Sequence, residues 1–389
     1  MLTRFSTRDY KCLRQVEIPL SPLHVLIGQN DSGKTSLLEA IFALYRSATA
    51  SLVESFPGNW QGRELVCEGS PTPFVQFAAT WQGAADSHMT RYHLQVRFAE
   101  LDRQCRVEGE AYVPPSGNPL EFPSSGENST AVQQFQMGRE PFVSQRGILE
   151  PLSRRMGVPH FYRLDPKMMA LPSTLDSGRR FRMDRDGFGL PGLLDDILGH
   201  DAHRFVALRE QFCSFFPQFR SVRIETEPAV QRDFKETGLH SSRQAIGKGI
   251  HFETRDGMSI RAQQASDGAI LLLGFLALAA LPVAPRMILI EEPETGIYPK
   301  RLDQVIRLLR EFVSQGGTGG MPQIVMTTHS PYVLSSFLPE EVTLMSRRPS
   351  GEVVARPLRD APHIHERLGS DFYLGELWYN LSEEDLFGD

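Results

Sequence analysis

Leu23-His-Val-Leu-Ile-Gly-Gln-Asn-Asp-Ser-Gly-Lys-Thr35 is a short apolar run that ends in glycine and passes into a Gly-x4-Gly-Lys-Thr spacing. The apolar run reads as a buried strand, and the glycine marks the break that follows it. From Thr35 to Ser47 the residues Leu37, Leu38, Ala40, Ile41, Leu44 and Tyr45 recur with a helical period. Strand, glycine loop and helix start together make a phosphate loop. Its backbone N–H groups and the positive end of the helix dipole face an anion, and glycine lets the chain wrap it closely. Lys34 then supplies a point charge at the β- and γ-phosphates, and the Thr35 hydroxyl a ligand for Mg2+. The stretch predicts an α/β fold with a nucleoside triphosphate at the carboxyl edge of its sheet.

Three further elements fit that edge. Met287-Ile-Leu-Ile-Glu-Glu-Pro-Glu-Thr-Gly-Ile-Tyr-Pro299 places Glu291 at the carboxyl end of a buried strand, where it can orient Mg2+ through water. The next residue, Glu292, points elsewhere and is the candidate base, or water-positioning group, for attack on the γ-phosphate. Thr327-Thr328-His329-Ser330-Pro331 follows the strand 323–326, so His329 can hydrogen-bond the γ-phosphate and sense its loss. Gln264-Ala-Ser266-Asp267-Gly268 precedes an apolar helix. Standing alone it reads as a routine N-cap with acid in the first turn, a role compatible with a second one, an exposed helix start that could clamp a γ-phosphate held by another subunit.

Around these motifs the last third alternates helix 267–281, strand 287–290, helix 299–314, strand 323–326, helix 331–337 and strand 341–345, the rhythm of a parallel, doubly wound sheet. Residues 74–81, 92–98 and 105–113 alternate as antiparallel strands with one wet face, and the Pro/Gly/Ser/Asn-rich stretch 114–130 reads as a mobile loop. Two amphipathic helices are expected between Leu190 and about Phe216, then a strand pair around 221–227 and 251–261. The expected organisation is a single composite head. An N-terminal lobe, 1–135, carries the phosphate loop and an antiparallel β subdomain. An inserted, largely helical lobe spans 136–245, and a C-terminal lobe, 246–389, carries the remaining motifs.

Composition narrows the classes further. With 41% hydrophobic residues in 389, the chain has ample material for a core without metal or disulfide. A net charge of −6 confines any nucleic-acid surface to a local patch. Cys12, Cys67, Cys105 and Cys213 form no CxxC, which suits a reducing cytoplasm. The run Ala269–Leu281 is shorter than the ~20 apolar residues a membrane span needs, so it is expected to be a core helix and no membrane association is expected.

Taken in order, the motifs resemble the ABC-type ATPase heads of the SMC, RecF and OLD group. Gly28, Gln29, Asn30, Asp31, Ser32, Gly33, Lys34, Thr35 and Ser36 are similar to Walker A in its GxNxxGK form. Ala265-Ser-Asp-Gly268 resembles the signature, Ile288–Glu294 Walker B, and His329 the switch histidine. Tyr162-Arg-Leu-Asp-Pro166, Asp186-Gly187 and Gly375-Glu-Leu-Trp378 resemble a compact bacterial subgroup of ATPases without coiled coils. The resemblance implies a P-loop NTPase with a parallel core sheet, ATP and Mg2+ as cofactors, and a homodimer closed by ATP. In that dimer Ser266, Asp267 and Gly268 of one subunit seal the site of the other. OLD proteins carry a TOPRIM nuclease after the head; about 60 residues follow His329 here, and a built-in nuclease is not expected.

Two roles remain open at this level. Arg154-Arg155 and the group Arg179, Arg180, Arg182 and Arg185 suggest a clamp acting on DNA in repair or foreign-DNA defence, though Asp176, Asp184 and Asp186 are interleaved with the second cluster. The alternative is an ATP-gated sensor or scaffold that holds and releases a separate effector protein, such as a nuclease or toxin.

Overall fold

The computed structural model describes residues 1–82, 89–114, 117–122, 127–175, 180–231, 243–315, 321–362, 364, 368, 373–380 and 386–387. The chain divides into two compact units. The first comprises Met1–Phe161, Pro285–Glu292 and Gly319–Asp389; the second comprises Tyr162–Ala284 and Pro293–Thr318.

In the first unit the core sheet has the order β15-β14-β3-β13-β12-β8. Its strands are β3 (Leu23–Ile27), β8 (Pro159–Tyr162), β12 (Met287–Glu291), β13 (Gln323–Thr327), β14 (Val342–Arg347) and β15 (Val353–Pro357). β14, β3, β13 and β12 run parallel, and β15 returns antiparallel to β14. Every residue of β3, β12 and β13 is buried. Strands covered on both faces read as continuous apolar runs, which is why they were legible as such.

The polar exceptions in these strands carry structural bonds. His24 shares a hydrogen bond with the Thr343 hydroxyl at 2.9 Å and another with the Ser21 hydroxyl at 3.1 Å. Burial, then the Arg359 charge, pushes its pKa down to about 3, so the ring stays neutral. The Gln323 amide donates to the Leu2 and Ser21 carbonyls and accepts from the Leu2 N–H, which fastens the first strand of the chain to the core sheet.

The second sheet of this unit is antiparallel, order β2-β1-β4-β5-β6-β7. It comprises β1 (Leu2–Tyr10), β2 (Leu13–Pro19), β4 (Phe74–Gln82), β5 (Met89–Phe98), β6 (Cys105–Val113) and β7 (Leu120–Phe122). Alternation gives one face to the core and the other to water. Phe77, Trp81, Tyr92 and Leu94 are buried while Gln76, Gln82 and His93 are exposed. Tyr10, Phe56, Trp60, Phe77 and Phe98 form edge and tilted ring contacts with centroids 5.0–6.2 Å apart. The helix Lys34–Arg46 buries Leu37, Leu38, Ala40, Ile41 and Leu44, and joins the antiparallel face and the core sheet in one hydrophobic core. At about 1.5–3 kcal/mol per buried large side chain, this stripe is a major part of what holds the phosphate loop's helix in place.

The second unit contains the helices Leu190–His200, Ala202–Phe215, Asp267–Ala279 and Pro299–Gln315, with a sheet of order β11-β10-β9. Here β9 is Phe219–Gln231, β10 Arg243–Thr254 and β11 Ser259–Arg261. All ten residues from Ala269 to Leu278 are buried, so the most apolar stretch of the chain is a core helix. No helix among the described residues is long and apolar enough to cross a membrane.

Several boundaries differ from expectation. The stretch 114–130 includes β7, whose Leu120 and Phe122 pair with Tyr112 and Glu110 of β6; a second sheet edge outweighs the loop-like composition. The expected strand 251–261 is two strands broken by a turn at Gly257, where the Thr254 N–H donates to the Met258 carbonyl. The expected helix 331–337 ends at Leu334. Arg179 and Asp176, and the tail acids Asp371, Glu383, Glu384, Asp385 and Asp389, lie outside the described residues.

Candidate active site

The site is built on a lateral row across three parallel strands. Glu291 of β12 is in register with Thr327 of β13, and Thr327 with Leu26 of β3. The three strands therefore end within one residue of a common level, at the carboxyl edge where open α/β sheets take their ligands.

From β3 the chain turns at Gly28, with φ 146°, in a position where a Cβ would stand 2.0 Å from the Met345 carbonyl oxygen. No side chain fits there. Asp31 at φ 61° and Gly33 at φ 87° carry the loop through left-handed conformations into the helix that begins at Lys34. Gly33 is pressed against Leu13 and Cys12, 2.9 and 3.2 Å from where its Cβ would lie. Ser32 is buried inside the loop, whereas Gln29, Asn30, Asp31 and Thr35 are exposed and Ser36 is half-buried.

The Lys34 ammonium is folded into this loop. It donates to the Gly28 carbonyl at 2.9 Å, the Gln29 carbonyl at 2.7 Å and the Ser32 hydroxyl at 3.2 Å. Burial lowers its pKa to about 8, against the opposing attraction of Glu292 and Asp31. A lysine this desolvated gains strongly from a nearby anion.

On the neighbouring strands, Glu291 is buried at the tip of β12. Glu292 adopts φ 46°, and its N–H donates to the carbonyl and the hydroxyl of Thr327 at 3.1 and 3.2 Å. That left-handed turn directs consecutive carboxylates to different places. The Thr328 N–H donates to the Leu26 carbonyl, and the Thr328 hydroxyl accepts from the Ser330 N–H at 3.0 Å, fixing the loop that carries His329. His329 Nε2 lies 3.5 Å from a Glu292 carboxylate oxygen, with both side chains about one-third exposed.

The first unit thus brings together Gly28–Ser36, Glu291, Glu292 and His329. Ser266, Asp267 and Gly268 belong to the second unit. There Ser266 is the N-cap of the helix Asp267–Ala279, and its side chain makes no capping bond. One residue of the site escaped sequence reasoning. Arg347, at the end of β14, donates twice to the Asp31 carbonyl, at 3.0 and 2.9 Å, and once to the Gly351 carbonyl. It braces the apex of the phosphate loop. Its only sequence signal is a basic residue ending a strand, which gains meaning once β14 is known to pair with β3.

The residues present suit the groups that the resemblance implies. A loop that admits no Cβ at Gly28, and that lies at a helix start, fits a nucleotide phosphate chain. One hydroxyl and one strand-end carboxylate fit Mg2+, which takes few protein ligands and keeps its waters.

A family model described as "AAA domain, putative AbiEii toxin, Type IV TA system" matches residues 123–335, and a second, "AAA ATPase domain", matches residues 1–68. The chain belongs to this AAA-domain family. A protein named OLD nuclease, from Thermus scotoductus, is 23% identical over 413 aligned positions that cover all of this chain and 70% of the relative. Among solved structures, an SMC head bound to the C-terminal winged-helix domain of ScpA superposes with a TM-score of 0.52 at 14% identity. That match covers 95% of this chain and 99% of the other. The AAA-domain chain therefore has the fold of an SMC/OLD-like ATPase head: a P-loop α/β core with an antiparallel β subdomain and an inserted lobe.

Proposed function

We propose that this AAA-domain protein hydrolyses ATP with Mg2+ and closes as a homodimer around it. The observation that carries the reading is the row at the carboxyl edge: the Lys34 loop on β3, Glu291 and Glu292 at the end of β12, and His329 after β13. In this reading Gly28–Ser36 wrap the phosphate chain. Lys34 exchanges its carbonyl partners for phosphate oxygens, whose negative charge compensates the solvation its ammonium has lost. Thr35 and Glu291 would hold Mg2+, whose chemistry is to neutralise the β- and γ-phosphate charge. Glu292 positions the attacking water, and His329, at ion-pair range from it, reports whether the γ-phosphate is present.

Ser266, Asp267 and Gly268 complete the site from a second copy. The support is a helix start whose Ser266 hydroxyl is not used for capping, together with the signature resemblance. DNA repair or defence against foreign DNA is the biological setting we favour, with the cytoplasm as compartment. Of the basic residues that suggested DNA, Arg180 is paired with Asp196 at 3.1 Å and Arg154 with Glu150 at 2.6 Å, so the case rests more on Arg155. The alternative is a sensor that grips a separate effector protein. It draws support from the toxin named in the family description and the nuclease named for the relative.

The decisive experiment is Glu292→Gln. Phosphate release should fall by about 10²–10⁴-fold while ATP binding persists, and the variant should elute as a dimer with ATP but not with ADP. Unchanged turnover would remove Glu292 from its role. A monomer under all nucleotide conditions would remove the shared site.

A further inference from the structure

Away from the phosphate loop, at the amino end of the same sheet, three arginines gather around one cavity. Arg286 immediately precedes β12, Gln323 opens β13, and Arg154 and Arg155 lie in the last turn of the helix Arg146–Met156. These four line a cavity of about 100 Å³ together with Tyr45 and Trp81, and among the described residues no carboxylate lines it. Arg154 is largely exposed and paired with Glu150 at 2.6 Å, so its charge is shared. Arg155 and Arg286 are half-buried, and neither guanidinium has a hydrogen-bond or ion-pair partner among the described residues.

Two neighbours register the uncompensated field. The α-amino group of Met1 is lowered by burial and then by repulsion from Arg155 and Arg286. The buried Tyr45 phenol, raised by burial, is drawn the other way by the Trp81 hydrogen bond and by Arg286. The Tyr45 oxygen accepts from the Trp81 ring N–H at 3.2 Å, which leaves its own O–H to donate. Gln323 is spoken for: its amide bonds Leu2 and Ser21, and it serves as wall.

Like charges held half out of water repel, and an anion between them relieves both the repulsion and the lost solvation. Planar guanidinium forks suit tetrahedral oxyanions, where each N–H···O⁻ bond is charge-assisted. The cavity has room for about three waters' share of liquid volume, enough for an oxyanion but not for a nucleoside.

We propose that Arg155 and Arg286, with the Tyr45 hydroxyl beside them, form a second oxyanion site for a group of the phosphate class, separate from the phosphate loop. The phosphate comes either from solution, as the free ion that hydrolysis would release, or from a nucleic-acid backbone whose sugar and base stay outside.

The test uses the full chain with Lys34→Ala to silence the phosphate loop. Thermal melting is followed in potassium phosphate against potassium chloride at equal ionic strength, and phosphorus NMR line width of inorganic phosphate is read in parallel. Phosphate should raise the melting temperature and broaden the line. Arg155→Gln and Arg286→Gln should each weaken the apparent affinity about tenfold, and Arg154→Gln should leave it nearly unchanged. Arg286→Lys, which keeps the charge, should retain part of the binding and guards against a variant that fails to fold. A single-stranded oligonucleotide that displaces phosphate assigns the site to a nucleic-acid backbone; failure to displace assigns it to the free ion. Identical behaviour in phosphate and chloride, or phosphate binding that survives the double Arg155→Gln/Arg286→Gln change, overturns the proposal.

Discussion

The two ends of the core sheet attract anions by different means. At the carboxyl end the positive potential comes from backbone: aligned N–H groups, a helix start and a single lysine, within nine consecutive residues from Gly28 to Ser36. At the amino end it comes from side chains at positions 155 and 286, which are far apart in sequence and meet only through the fold. Backbone cradles demand special conformations and so leave glycine at set spacing. Side-chain clusters demand only that two surfaces meet, and so leave no local pattern.

The difference makes the carboxyl end the more fragile of the two. Lys34→Ala should weaken ATP binding by ~10²-fold or more, because the desolvated positive charge set to meet the phosphates is lost; isothermal titration with ATP measures it. Binding of ATP by this variant with unchanged affinity would break the assignment of the carboxyl end.

Gly28→Ala probes the backbone itself. A Cβ at 2.0 Å from the Met345 carbonyl oxygen forces β3 and β14 apart, with an expected cost of about 1–3 kcal/mol of stability and a loss of ATP affinity. Urea unfolding with and without ATP separates the two. A fully stable, ATP-binding Gly28→Ala protein would show the cradle to be looser than its geometry.

A pH series gives a smaller effect with a definite sign. Lys34 in the free protein titrates near pH 8, below the ordinary lysine value, and phosphate binds only its charged form well. Bound ATP raises that pKa, so binding takes up a proton above pH 8. Affinity should fall as pH rises past about 8, by up to about tenfold per unit until the bound-state pKa is reached. Lys34→Arg should abolish this basic limb. If the limb persists in Lys34→Arg, another group is responsible.

The smallest effect expected sharpens the comparison by its absence. Arg155→Gln and Arg286→Gln should leave saturated ATP turnover within about twofold, since the cavity shares no residue with the carboxyl-edge row. A larger drop would mean that the two ends of the sheet are coupled.

Much of this molecule was readable before folding. The strands β3, β12 and β13 are buried on both faces and appear as unbroken apolar runs, so their ends located Gly28, Glu291 and His329. The antiparallel strands appeared through alternation, as at Phe77 against Gln76. What escaped had weak local signals. Strand β7 is three residues inside a Pro/Gly/Ser-rich stretch, and only pairing with β6 makes it a strand. Arg347 is one arginine among many until β14 lies beside β3.

By itself, the sequence determined the phosphate loop, the acids at the end of β12 and the helix that supports the loop, because each depends on local backbone demands or short-range periodicity. The tertiary structure alone decided that Glu291, Thr327 and Leu26 share one level, that Glu292 faces His329 at 3.5 Å, that Arg347 braces Asp31, and that Arg155 meets Arg286. Those are encounters between segments distant along the chain. They are specified by strand register and packing, which no single stretch of residues carries.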